Sequence, residues 1–195
     1  MKTENIVSAF RSVDRADFLP EPLRSGASRD IPLPIGFSQT NSQPSTVSFM
    51  LELLQPKEGS TVLDVGSGSG WTTALLAVAV SPSGHVTAIE RIPELLVMGR
   101  ENVEKYGFIS SGRVKMLLGD GWKGFPPDGP YDRILVSAMA TRIPVHLVEQ
   151  LKTGGIMVVP VYNDICRIVK NPDSSCEREN FSGFVFVPLV EEPPS

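Results

Sequence analysis

Cysteine is nearly absent: the 195-residue chain has two, Cys166 and Cys176, too few and wrongly spaced for a zinc site or a disulfide framework. Free thiols in a reducing compartment follow, and a cytoplasmic location is the expectation. Histidine is as scarce, His85 and His146, one inside an expected strand and one on an expected helix, so a histidine-metal site has no support and no metal is expected. There is no basic run. Lys plus Arg number 18 against 22 Asp plus Glu, a net charge of -4 with the signs mixed along the chain, which disfavours nucleic acid as a partner. The longest uninterrupted apolar run, Ala74 to Val80, is far too short to span a bilayer, and Met1 to Phe10 lacks an apolar signal core. No membrane partner is expected.

What is present suits one domain, since a chain of this length can bury ~70% of its unfolded surface. Residues 4 to 20 read as one or two short helices, closed by Phe18-Leu19-Pro20. Arg24 to Pro44 reads as a long polar loop with embedded Ile31, Leu33, Ile35 and Phe37, and a helix is expected from about Ser45 to Leu54. From Thr61 the periodicity switches between two and 3.6. Strands are expected at Thr61–Val65, His85–Glu90, Arg113–Leu118, Asp132–Ser137 and Ile156–Val161, and helices at Thr72–Val80, Pro93–Tyr106 and Pro144–Leu151. Gly154-Gly155 is expected to turn the chain into the last long strand, and two tail strands are expected at Ile165–Val169 and Phe184–Val187, the second antiparallel at an edge. The order implies an α/β fold with a doubly wound, mostly parallel sheet and ligand sites at the carboxyl ends of its strands. The divisions expected within the single domain are 1–44 (helices and loop), 45–161 (core) and 162–195 (short strand region).

The stretch Thr61-Val62-Leu63-Asp64-Val65-Gly66-Ser67-Gly68-Ser69-Gly70-Trp71 organises the rest. An apolar strand, an acid and three alternating glycines make a backbone-lined ligand loop, because glycine admits positive φ and carries no Cβ to hold a ligand off. Trp71 stands where the dinucleotide pattern has its spacing pair, so a pyrophosphate fits less well than S-adenosylmethionine, which carries no phosphate. A tight strand-to-helix turn without ligand is the plain alternative. Strand two ends in Glu90, placed to accept both hydroxyls of a ribose, or else a solvated acid beside Arg91. Strand three ends in Gly119-Asp120-Gly121, suited to an adenine amino group, or simply an Asp-Gly turn. Asp64 orients the loop or touches the ligand.

Taken together these motifs resemble the S-adenosylmethionine-dependent methyltransferases with a Rossmann-like sheet. Ser137-Ala138-Met139-Ala140 stands where an Asn-Pro-Pro-Tyr of base amino-methylation would fall, and no Pro-Cys pair is present. A carboxylate is the acceptor that needs neither metal nor base, being ionised at neutral pH with a pKa of about 4. Ile31-Pro32-Leu33-Pro34-Ile35-Gly36-Phe37-Ser38-Gln39-Thr40-Asn41-Ser42-Gln43-Pro44 looks like the signature loop of protein-L-isoaspartate (D-aspartate) O-methyltransferases. The similarity runs on through Val13-Asp14-Arg15, Glu90-Arg91-Ile92-Pro93, Gly129-Pro130-Tyr131-Asp132 and Val159-Pro160-Val161, and covers nearly the whole chain.

The resemblance implies that Ser42 is the active-site hydroxyl. It implies a cofactor site of Gln39, Thr40, Asn41, Ser42, Gly66, Ser67, Gly68, Ser69, Gly70, Glu90, Arg91, Asp120 and Gly121, with S-adenosyl-L-methionine as cofactor. The implied partners are proteins and peptides containing isoaspartyl residues, met by a monomer, and the implied reaction is esterification of the α-carboxylate ahead of succinimide formation. Two places depart from the family pattern: Asn41 replaces an aliphatic residue, and Val161-Tyr162-Asn163-Asp164 replaces a glycine-led continuation. Other readings are a methyltransferase for another peptide carboxylate, a non-catalytic cofactor-binding module and, more distantly, a nicotinamide oxidoreductase. Ser42 is also placed to cap the helix from Ser45.

Overall fold

The computed structural model describes residues 4–191; the expected outer limits at 1–3 and 192–195 lie outside the described residues. The chain begins with α1 (Glu4–Ser12) and two short 3-10 turns, Arg15–Phe18 and Glu21–Gly26. Next come β1 (Leu33–Gly36), β2 (Gln39–Asn41) and α2 (Pro44–Leu54). The core then runs β3 (Thr61–Val65), α3 (Trp71–Ala79), β4 (His85–Glu90), α4 (Pro93–Glu104), β5 (Val114–Leu118) and β6 (Tyr131–Val136). It ends in α5 (Val145–Glu149), β7 (Leu151–Val161), β8 (Asp164–Lys170) and β9 (Cys176–Ser182).

Strands β3 to β9 form one sheet in the order β5-β4-β3-β6-β7-β8-β9. The five strands from β5 to β7 are parallel, and β8 and β9 are added antiparallel. After β3 the chain builds outward through β4 and β5, then returns to the other side of β3 with β6. The crevice of a doubly wound sheet opens at that reversal, at the carboxyl ends of β3, β4 and β6. Side chains alternate with period two, as buried strands must. Val62, Ala88, Met116, Leu135 and Val158 face α1, α2 and α3, while Leu63, Val65, Ile134, Val136 and Met157 face Leu147 of α5, Trp122 and Leu189.

The strands expected from Thr61 to Ser137 stand within one residue of the observed ones. Four expectations need correction. Residues 33–41 are not a loop but an antiparallel hairpin, Leu33 opposite Asn41. Gly154 and Gly155 lie inside β7, where a register shift against β6 and a φ of 74° at Gly154 mark an irregularity. The edge strand is Cys176–Ser182, not Phe184–Val187. Phe184 and Phe186 instead pack on the first core face and Val187 on the second, as the chain crosses the end of the sheet. Finally, Ser42 does not cap α2. The cap comes from Asp30, whose Oδ1 accepts from Ser45 N at 2.8 Å, and that bond, helped by Gln43, holds the exposed Asp30 carboxyl below its ordinary pKa. At the other end of α2, Arg167 donates to Leu53 O and Arg133 to Gln55 O, satisfying carbonyls that a helix terminus leaves open. No helix among the described residues is long and apolar enough to cross a membrane.

Candidate active site

The glycine loop leaves β3 and enters α3. Gly66, Gly68 and Gly70 take φ of 79°, 53° and 90°, but they serve different ends. A Cβ on Gly70 would stand 2.7 Å from Val103 Cγ2 and 2.9 Å from Gly99 O, so this glycine lets α3 start against α4. A Cβ on Gly66 would meet nothing nearer than 3.8 Å, and the space it leaves belongs to a cavity. Beneath the loop Asp64 is fully buried; Oδ2 accepts from Thr73 Oγ1 at 2.6 Å, and Oδ1 has no partner among the described residues. Burial, with the charge of Glu90 adding to it, raises its pKa to about 6 against the lowering effect of the Thr73 and Thr72 hydroxyls.

Glu90 ends β4 and is itself buried. Its Oε2 accepts from Gly68 N at 2.8 Å, and its Oε1 from the amides of Arg91 and Ile92 at 2.8 and 2.9 Å. Three of its roughly four acceptor positions are thus taken, which fixes the carboxylate and leaves capacity toward the cavity it lines. After β5, Gly119 and Gly121 line the same cavity. A Cβ on Gly121 would fall 2.5 Å from Val65 Cγ1, so only glycine brings this turn against β3. The Asp120 side chain is turned back into its own turn, accepting from Trp122 N at 2.9 Å with Lys123 Nζ at 3.7 Å.

The hairpin β1–β2 closes the opposite side. Its turn residues Phe37 and Ser38 both have positive φ, which twists the two strands as a tight hairpin requires. Gln39, Thr40, Asn41 and Ser42 line the cavity, together with Gly66, Ser67, Gly68, Ser69, Glu90 and Arg91. Of the site residues expected from sequence, Gly70 and Asp120 alone are not on its wall. The Ser42 hydroxyl has no hydrogen-bond partner among the described residues, whereas its carbonyl accepts from Arg15.

Sequence reasoning missed one wall. Val187 to Val190 line the cavity from the chain's end, held by Met139 N to Val187 O and Leu189 N to Met139 O, both 2.7 Å, and by Trp122 Nε1 to Leu189 O at 3.2 Å. The irregular backbone carries no periodic signal. Ser137 and Ala138 at the end of β6 were also missed; their place beside the sheet's reversal was the available clue. Ile35, Ile89, Ile92 and Leu95 supply apolar lining. The whole encloses about 850 Å³, its open mouth included.

These residues fit S-adenosylmethionine. The apolar lining suits an adenine ring and the fixed Glu90 carboxylate a ribose diol, while the Ser67 hydroxyl is buried on the wall without a partner among the described residues, as a donor or acceptor kept for a ligand would be. A doubly wound sheet with this loop, this acid and this crevice defines the class: an S-adenosylmethionine-dependent methyltransferase with a Rossmann-like fold.

The relatives narrow the class. A family model described as protein-L-isoaspartate(D-aspartate) O-methyltransferase (PCMT) matches residues 1–193. The protein-L-isoaspartate O-methyltransferase of Methanopyrus kandleri is 45% identical over 98% of this chain and 86% of its own length. That of Methanothrix thermoacetophila is 47% identical over 96% and 89%. Among solved structures, a PCMT from Plasmodium falciparum in complex with S-adenosyl-L-homocysteine superposes with a TM-score of 0.87 at 22% identity, covering 98% of this chain and 93% of that one. The chain belongs to the protein-L-isoaspartate(D-aspartate) O-methyltransferase family.

Proposed function

We propose that the protein transfers a methyl group from S-adenosylmethionine to the free α-carboxylate of L-isoaspartyl residues, and to the free β-carboxylate of D-aspartyl residues, in damaged proteins and peptides. Bound S-adenosylmethionine supplies an electrophilic methyl on a sulfonium sulfur. The loop from Gly66 to Ser69 and the Glu90 carboxylate hold the donor, and the apolar wall from Val187 to Val190 keeps water out. The acceptor carboxylate is already ionised at neutral pH, so the protein has no proton to remove. Its task is alignment of oxygen, carbon and sulfur. The Ser42 hydroxyl does this by donating one neutral hydrogen bond to the acceptor, without the ion pair that would blunt the nucleophile. The methyl ester then loses methanol as the following backbone amide nitrogen attacks it, closing a succinimide that opens partly to aspartate.

One observation carries the reading: Ser42, whose hydroxyl has no partner among the described residues, lines the same cavity as Gly66 and Glu90. The test is transfer of labelled methyl from S-adenosylmethionine to an isoaspartyl peptide and to its aspartyl twin. Transfer to the first alone supports the proposal; transfer to the aspartyl peptide alone would make the protein a methyltransferase for another carboxylate. No transfer to either, with donor bound, would make it a non-catalytic cofactor-binding module. The protein acts as one domain on this reading, because Ile6 of α1 and Ile165 of β8 share one core.

A further inference from the structure

Arg15 is a buried cation with no carboxylate at ion-pairing distance among the described residues; its side chain is spent on hydrogen bonds instead. Nε donates to Asn41 Oδ1 at 2.8 Å. Nη1 donates to the carbonyls of Ala27 and Arg29 at 3.2 and 3.0 Å. Nη2 donates to those of Ile31, Asn41 and Ser42 at 2.9, 3.2 and 3.0 Å. Ile31 lies just before β1, Asn41 ends β2 and Ser42 follows it, so one planar group ties both feet of the hairpin. The guanidinium also sits 5.3 Å from the Trp71 ring centroid, at the first residue of α3. Arg15 is not on the cavity wall.

The link continues to the donor side. Arginine can only donate, so the Asn41 carboxamide must turn its oxygen to Arg15 and its NH2 group away. That NH2 group reaches Ser69 Oγ at 3.3 Å, inside the glycine loop. Ser69 is fixed in turn, its carbonyl accepting from Asn102 of α4 at 3.0 Å. An aliphatic residue at 41 would break the path at both ends. Burial disfavours the charge on Arg15 and lowers its pKa, with distant Asp30 opposing. A buried charge held by neutral acceptors is costly, and what this one secures is the placement of the hairpin.

We propose that Arg15, acting through Asn41, is a positioning residue that locks the Ser42 hairpin in register with the donor loop. The proposal rests on the role given to Ser42 above. A lysine at 15 keeps the charge but offers one point of donation in place of a planar fork. Arg15→Lys therefore lowers kcat for an isoaspartyl peptide about tenfold or more, and the dissociation constant for S-adenosylhomocysteine rises by less than kcat falls, because Gly68 and Ser69 keep their bonds to Glu90 and Asn102. In Arg15→Ala, millimolar guanidinium chloride restores part of kcat.

Amide hydrogen exchange of the free protein reads the clamp without any acceptor. Exchange at residues 33–42 accelerates in Arg15→Lys and in Asn41→Leu, and exchange in β3 to β5 does not change. Wild-type kcat in Arg15→Lys, or wild-type hairpin exchange in both variants, would overturn the proposal. If Arg15 variants do not fold, Asn41→Leu decides by exchange. If the wild-type protein methylates no isoaspartyl peptide, the function assigned above falls, and the exchange comparison still judges the clamp.

Discussion

Thr73 donates its hydroxyl to Asp64 at 2.6 Å, a bond between the first turn of α3 and the middle of β3 that water does not reach. It serves one carboxylate oxygen and leaves the other bare, so the ionised form is poorly compensated and the pKa rises to about 6. A folded-state pKa above the unfolded one means that the native protein holds this proton more tightly. Stability from this group is therefore full below about pH 4 and is lost as pH rises through about 6, by on the order of 2–3 kcal/mol. Asp64→Asn removes that dependence. Denaturant unfolding of the free protein at pH 4, 5, 6 and 7 should show the wild type losing stability relative to the variant across this window. Parallel curves would show that Asp64 does not titrate there.

Glu90 accepts from three amides that point at both of its oxygens. In Glu90→Gln an NH2 group must oppose at least one of these donors, so the isosteric change is not mild. Donor affinity measured by calorimetry with S-adenosylhomocysteine should fall about tenfold or more, with Glu90→Ala at least as weak. Unchanged affinity in both would remove Glu90 from the donor site.

Ser42→Ala deletes a hydroxyl that has no partner among the described residues, so folding should be unaffected and the thermal midpoint should stay within a degree or so. The loss falls on turnover: kcat for an isoaspartyl peptide drops about tenfold or more while donor affinity holds. Full turnover by the variant would take the alignment role from Ser42.

Gly70→Ala places a methyl against Val103 and Gly99 O at a positive φ. It should cost at least about 1 kcal/mol, which for a chain of this size lowers the thermal midpoint by roughly 2–4 °C or more. Gly154→Ala shares the positive φ but meets no atom within 4 Å, and calorimetric scans should show the smaller loss there. Equal losses would mean that crowding at α4 contributes nothing.

The parts of the fold visible in the sequence were those whose burial writes a pattern. Residues 62–65 and 134–136 are buried on both faces and, Asp64 apart, read as apolar runs; the loop after β3 announced itself by alternating glycines. The hairpin did not, because Phe37 and Ser38 occupy turn positions normally signalled by Asn-Gly, and prolines at 32 and 34 argue for loop. Cys176–Ser182 is a sheet edge exposed on both sides, so nothing selects an alternation there. Phe184 to Val187 has strand composition, yet Phe184 and Phe186 pack on one core face, Val185 is exposed and Val187 joins the other face, so the segment pairs with no strand of the sheet. In the site, loop glycines and Glu90 were legible from spacing, and residues 39–42 from family resemblance. Arg15 was quoted only as part of a matching motif, and its role was not legible, since all but one of its partners are main-chain carbonyls, which every residue possesses.

The stretch from Val187 to Val190 follows every strand of the large sheet in chain order, while the facing hairpin precedes all of them. A nascent chain can assemble its parallel strands and still lack one side of the donor chamber. A closed chamber therefore requires that synthesis pass residue 190, and a chain cut before residue 187 keeps the strands of the sheet but lacks that wall.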